Sequence, residues 1–343
     1  MLFKSANIKK LGEVTSRIAM APMTRNMAPG HTVSENRAEY YGCRAEDGIG
    51  LILTEGLIIH PSGDGYRDVP YLETSEQAQS WKPVLERVHA AKSKMFAQLW
   101  HCGRISHSDL TGGIQPVSST NRAAEGLNRQ NDKPFGTPRA LRTDEMPTVY
   151  AQFVNAAKNA LEAGFDGVEV HMGHGYLVDQ FFDARINDRT DQYGGTPENR
   201  CRFGLELLEE MMKHVDRNRV MVRISPSRFM GEIYDWPDME AMLDHLIPAF
   251  QSLGLGLLDL SCANANYFET ADRVVRHVRP IWDGILIGGA SLSKDQAEGE
   301  IKEGRLDLVT WGRFILANPD FKSRLESGQA LREFNRDMLA SLI

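Results

Sequence analysis

The chain has 343 residues, a formal net charge of -7, and 42% hydrophobic against 25% charged side chains, a globular balance long enough to bury a large core. The acidic surplus argues against a nucleic-acid partner and an anionic membrane surface, both of which select basic patches. No apolar run approaches the ~20 residues that span a bilayer, Met1-Leu2-Phe3-Lys4 opens no leader, and Cys43, Cys102, Cys201 and Cys262 lack CxxC spacing; a cytoplasmic chain with reduced thiols and no membrane contact is expected.

In chain order, short β-rich runs at 18–20, 51–54, 95–99, 167–170, 220–224, 257–260, 285–287 and 306–310 predict strands. Helical spacing lies between many of them. Over 149–163 it places Phe153, Ala157, Ala160 and Leu161 on one face and stops at Gly164, a residue suited to a left-handed helix end. The same pattern runs from Met239 through Met242, Leu243, Leu246 and Phe250 to Gly254, and again over 295–303 to Gly304. Strand–helix alternation requires parallel pairing, because each helix returns the chain to the same end of the sheet. Eight such units predict an α/β fold, a (β/α)8 TIM barrel, as a single domain over 1–343. The rival, an open doubly wound sheet, usually shows a GxGxxG turn when it binds a dinucleotide, and none is present. Residues 103–147 are polar, rich in Gly and Pro, and too long for a βα loop. They are expected to form an excursion after strand three, over the catalytic face.

Barrels of this kind carry function at the C-terminal strand ends. Strand one ends Met20-Ala21-Pro22-Met23-Thr24-Arg25 and strand three Gln98-Leu99-Trp100-His101. Strand four ends His171-Met172-Gly173-His174-Gly175-Tyr176, and strand five Arg223-Ile224-Ser225-Pro226. The His171/His174 pair has three readings. A zinc helix would want a Glu between the histidines at helical spacing, and two glycines argue against a helix. A metal-dependent barrel hydrolase would normally place a His-x-His at strand one, where Met20-Ala21-Pro22 stands. Two imidazole donors aimed at a substrate oxygen fit best, with Tyr176 two residues on. Gly288-Gly289 and Gly312-Arg313 occupy the usual phosphate position at strands seven and eight. Arg313 adds a charged, forked contact that ordinary tight turns would not need. A phosphate site without a P-loop or Rossmann turn points to a mononucleotide cofactor.

At these residues the sequence resembles the Old Yellow Enzyme family of FMN-dependent NAD(P)H ene-reductases, which includes N-ethylmaleimide reductase-like members. The resemblance runs from Met20-Ala21-Pro22-Met23-Thr24-Arg25 through Gln98-Leu99-Trp100-His101-Cys102-Gly103-Arg104, Val170-His171 and Asp179-Gln180-Phe181. It continues through Arg189-Thr190-Asp191-Gln192-Tyr193-Gly194-Gly195 to Gly312-Arg313-Phe314 and Asn318-Pro319-Asp320. It implies FMN as cofactor, held by Pro22, Thr24, Gln98, Arg223, Gly289, Gly312 and Arg313. Thr24 would lie near flavin O4, Gln98 at the pyrimidine edge, Arg223 beside N1 and O2, and the glycines with Arg313 at the phosphate.

The resemblance further implies that His171 and His174 grip the oxygen of the substrate and that Tyr176 donates the proton, with Tyr66 and Trp100 lining the pocket. NADPH or NADH would supply hydride, an activated alkene would take it in ping-pong order, and no metal is implied. The chain departs from many relatives after Asp320, where Phe321-Lys322-Ser323-Arg324 brings no Tyr-bearing lid segment. A flavin-binding redox sensor without fast turnover is the alternative, which Tyr176 and both histidines disfavour. A monomer or homodimer is expected.

Overall fold

The computed structural model describes residues 1–229, 231–262 and 265–342. Eight parallel strands close into a barrel. They are β1 (Ile18–Met20), β2 (Leu51–Ile58), β3 (Lys94–Trp100), β4 (Gly167–His171), β5 (Val220–Ile224), β6 (Leu257–Leu260), β7 (Ile285–Gly289) and β8 (Leu308–Trp311). Each pairs with the next, and β8 pairs with β1 through Val309–Ile18 and Trp311–Met20. The outer ring is α1 (Asn36–Glu46), α2 (Lys82–Ala90), α3 (Met146–Ala163), α4 (Pro197–Met212), α5 (Met239–Ser252), α6 (Ala271–Val278), α7 (Lys294–Lys302) and α8 (Phe321–Ser327).

The strands stand where the sequence places them. The main difference is β2, four residues longer than its apolar run: a register shift between Leu53 and Gly56 carries the ladder past the glycine. A Cβ on Gly56 would stand 2.3 Å from Trp100 Cε3, so the glycine is what lets the Trp100 indole lie against β2. Gly164 ends α3 at φ 112, its N–H bonded to Ala160 and Leu161 carbonyls, as the sequence predicts. At α7, Ser293 and Gln296 form a reciprocal capping box.

Side chains alternate in and out along each strand. Outward, Val168, Val170, Val222, Leu258, Leu286 and Val309 pack against the helices. Inward, Leu53, Phe96, Met221, Leu257, Ile287 and Leu308 fill the lower barrel. Ile8, Leu11 and Val14 of an N-terminal hairpin, Ala6–Ile8 with Gly12–Val14, seal it from below. Burying one such side chain stabilises by about 1.5–3 kcal/mol. One step higher the same inward positions become Gln98, Glu169, Arg223 and Asp259, all buried. Buried polar groups cost free energy unless paired, so this layer is there for something other than stability.

Between β3 and α3, residues 103–145 form a covering segment, and the last two residues of the expected excursion, Met146 and Pro147, already belong to α3. The segment contains a short antiparallel pair, Leu127–Asn128 with Lys133–Pro134, and a parallel pair, Val117–Ser118 with Arg139–Ala140. Ser106 donates to the Asp64 carbonyl, and Ser119 to the Gln180 carbonyl at 2.5 Å, which ties the segment to the top of the barrel. No helix among the described residues is long and apolar enough to cross a membrane.

Candidate active site

The turn after β4 is built to hold its side chains still. His174 and Gly175 take positive φ, 59° and 78°, which costs little for glycine but strains histidine. The surroundings over-determine that turn. Ser225 Oγ accepts the His174 N–H at 2.7 Å, and Asp179 Oδ2 accepts the Gly175 N–H at 2.6 Å. Asp179 is itself fixed by Arg228 at 2.9 Å and by Trp236 Nε1 at 2.9 Å. Gln180 Nε2 donates to the carbonyls of Gly175 at 2.7 Å and Cys102 at 3.1 Å. Asp179 and Gln180 therefore position the turn from the short helix Leu177–Phe182.

The result is a chain of rings. Tyr66 meets Trp100 at 4.7 Å between centroids, Trp100 meets Tyr176 at 5.0 Å, Tyr176 meets His171 at 5.1 Å, and His171 meets His174 at 4.8 Å. The Tyr66 and Tyr176 hydroxyls lie 2.8 Å apart. Both imidazoles are neutral: burial, then the charge of Arg223 or the neighbouring histidine, holds them well below the usual value. His171 Nδ1 accepts from the Gly173 N–H at 3.4 Å, which leaves its proton on Nε2. His174 Nε2 faces Ser261 Oγ at 2.9 Å, and in either tautomer the neutral ring carries one N–H. Burial, then the adjacent Tyr66, pushes Tyr176 well above 10, so it keeps its proton.

Beside this wall lies a cavity of about 960 Å³, at the upper end of small-molecule sites. Pro22, Met23, His174, Arg223, Ser261, Ala290, Ser291, Gly312 and Arg313 line it, with Arg129 from the covering segment and Phe334 and Arg336 from the C-terminal stretch. Arg223 Nη1 donates to Asp259 at 2.8 Å and Nη2 to Ser261 at 2.8 Å, while its buried Nε has no partner among the described residues. A donor left over in a cavity wall fits a ligand rich in acceptors. Gly312, also on the cavity wall, is the N-cap of the short helix Arg313–Ala317.

A family model described as NADH:flavin oxidoreductase / NADH oxidase matches residues 1–332. The chain is 34% identical over 329 residues to 12-oxophytodienoate reductase 1 of Oryza sativa subsp. japonica, covering 94% of this chain and 86% of that protein. The old yellow enzyme homologue from Zymomonas mobilis superposes with a TM-score of 0.91 at 32% identity, over 98% of this chain and 96% of the other. Morphinone reductase in complex with tetrahydroNAD gives 0.89 at 34% identity, over 98% and 93%. The chain belongs to the Old Yellow Enzyme family.

As a member of the Old Yellow Enzyme family it is an FMN-dependent oxidoreductase that takes hydride from a nicotinamide. The residues present fit that cofactor: an unpartnered guanidinium donor, a cavity of sufficient volume, and a glycine-capped helix start beside Arg313. Of the residues the sequence singles out, Pro22, His174, Arg223, Gly312 and Arg313 line the cavity. Gln98 lies in the polar layer, its Nε2 on Glu169 at 2.7 Å. His171, Tyr176, Trp100 and Tyr66 form the adjoining ring wall. Thr24 is half-buried just past Pro22, and its hydroxyl makes no hydrogen bond with the described residues. Gly289 is off the cavity wall; the next two residues, Ala290 and Ser291, are on it.

Sequence reasoning missed Ser261 and the buried acids Glu169 and Asp259, although each has the inward parity of a residue it did single out. It also missed Phe334 and Arg336, for which the sequence carries no signal. Among the described residues no group of three or more His, Cys, Asp or Glu could hold a metal ion.

Proposed function

We propose that the protein reduces activated alkenes, such as enones, maleimides or nitro-olefins, in ping-pong order with NADPH or NADH. The observation that carries this reading is the convergence of two neutral imidazoles and one protonated tyrosine in one chain of rings beside the cavity, with His174 on the cavity wall itself. When bound, FMN supplies the hydride that goes to the β-carbon of the alkene. His171 and His174 donate to the carbonyl or nitro oxygen, where negative charge develops. Such donors contribute ~2.7–4 kcal/mol each in comparable sites. Tyr176 gives its proton to the α-carbon. Trp100 and Tyr66 keep water from the rings, and Tyr66 fixes the Tyr176 hydroxyl through their 2.8 Å contact. Gln98, Arg223 and Thr24 would hold the flavin ring, and Gly312 and Arg313, with Gly289 behind the wall residues Ala290 and Ser291, would hold the phosphate.

The test uses a phenol, whose anion mimics the enolate and should give a long-wavelength charge-transfer band over oxidised flavin. Titration of p-hydroxybenzaldehyde into the FMN-loaded protein should weaken in both His171→Ala and His174→Ala. One lost charge-assisted donor is worth ~1.5–3 kcal/mol, roughly ten- to a hundredfold. FMN content should stay near normal. Wild-type affinity in both variants sinks the oxygen-clamp reading.

A further inference from the structure

Glu169 and Asp259 stand on the inner faces of β4 and β6, alternate strands of the kind whose side chains share a layer in these barrels. They are 0% and 1% exposed. Each has one carboxyl oxygen held: Gln98 Nε2 donates to Glu169 Oε2 at 2.7 Å, and Arg223 Nη1 to Asp259 Oδ2 at 2.8 Å. The other two oxygens, Glu169 Oε1 and Asp259 Oδ1, have no donor among the described residues. The two carboxyl groups lie within hydrogen-bonding reach of each other. Two ionised carboxylates are both acceptors and would repel; one proton between them makes a donor and an acceptor. With that proton the cluster is neutral, Arg223 balancing Asp259. Without it, a net negative charge is buried.

We propose that Glu169 and Asp259 share one proton and act as positioning residues for flavin reduction, holding Gln98 and Arg223 in place and keeping the layer beneath the cofactor neutral. This rests on the reading that Gln98 and Arg223 face the flavin. Neither acid touches substrate; both act through the residues they hold. Reduction by two electrons and one proton leaves negative charge on the cofactor, and that charge strengthens the hold of the pair on its own proton.

The surroundings place the titration. Burial, then the charge of Asp259, pushes Glu169 up to about 8, against Arg223 and the Gln98 hydrogen bond. Asp259 is raised by burial, against Arg223. From the packed elements, Gln98 on β3 and Arg223 on β5 face the pair, Thr54 on β2 accepts the Gln98 N–H, and His171 lies above on β4. Cys262, just beyond β6, is raised to about 11, and His171 is held far below its usual value, so neither titrates in the same range. Below about 8 the pair keeps its proton in both redox states, and two electrons bring one proton, onto the cofactor. Above it the oxidised form has lost that proton, and reduction draws a second one from solvent onto Glu169.

The experiment measures the midpoint potential of the FMN-loaded protein against pH, by dye-equilibrated reduction, for wild type, Glu169→Gln and Asp259→Asn. In wild type the uptake should rise from one to two protons per two electrons as pH passes about 8. Glu169→Gln, a neutral side chain that keeps a donor, should hold at one throughout. Asp259→Asn removes the like charge and should move the rise to lower pH. A wild type that stays at one proton while holding FMN overturns the inference alone, whether or not either variant folds, and so does an unchanged rise in Glu169→Gln. A protein that binds no FMN overturns the site reading and this inference with it.

Discussion

Tyr176 is a weak acid kept weaker. Burial and the Tyr66 hydroxyl hold its proton well above 10, while Tyr66 itself is pushed up to about 12. A group so placed gives its proton only to a strong base, as a developing carbanion is. Tyr176→Phe should therefore leave FMN reduction by NAD(P)H intact and slow reoxidation by cyclohexenone ~10²–10⁴-fold in stopped-flow traces. Equal slowing of both half-reactions would make Tyr176 structural. Tyr66→Phe removes one neutral hydrogen bond, worth about 1 kcal/mol, and should slow the same step roughly fivefold.

His171 and His174 are both held well below 6.5, so the folded state binds fewer protons than free imidazole would. Enone affinity should then show no loss as pH falls through 6.5, and an inflection there would mean that one ring titrates normally.

Between elements, a buried polar link outside the site joins α1 to β2. Arg37 Nε and Nη2 hold the two oxygens of Glu55 at 2.8 and 3.2 Å, with both side chains fully buried. Glu55 also accepts the Arg25 N–H at 3.3 Å, which fixes the chain just past Pro22 and Thr24. Breaking a buried pair leaves a charge unpaired, at a cost of about 3–5 kcal/mol, whereas replacing both partners by apolar residues is often neutral. Glu55→Gln should show that loss in urea unfolding, and Arg37→Met with Glu55→Leu should recover most of it. Equal stability of the single variant and wild type would show that Arg37 finds another acceptor. The first half of β2 was legible because an apolar run carries its own signal. The extension of β2 beyond Gly56 was not: the glycine reads as a break, and only the Trp100 ring against it explains the strand passing through.

Across the whole molecule, the C-terminal stretch returns to the cavity. Arg25 Nη2 holds the carbonyls of Ser341 at 2.7 Å and Met338 at 3.2 Å. Asn318 binds Arg332 on both backbone groups, at 2.8 and 3.1 Å. These anchors set Phe334 under the Arg313 guanidinium at 5.4 Å and bring Arg336 to the cavity wall. Removing the residues after Ala330 should leave the barrel folded and weaken FMN retention by at least about tenfold, or ~1.4 kcal/mol. Released flavin fluorescence measures it. Undiminished retention would show that the stretch only covers the cavity.

The sequence carries the barrel and its eight strands, because hydrophobic period and glycine stops are local properties of the chain. It also singled out His171, His174, Tyr176 and Arg223, since their positions at strand ends follow from the same local pattern. Which inward side chains meet across the barrel is not written in any local pattern. Glu169 and Asp259 are 90 residues apart in numbering, on strands that do not pair with each other, and only closure of the ring sets their carboxyl groups together. The same holds for Ser261 against His174, and for Phe334 against Arg313, contacts that no local spacing encodes.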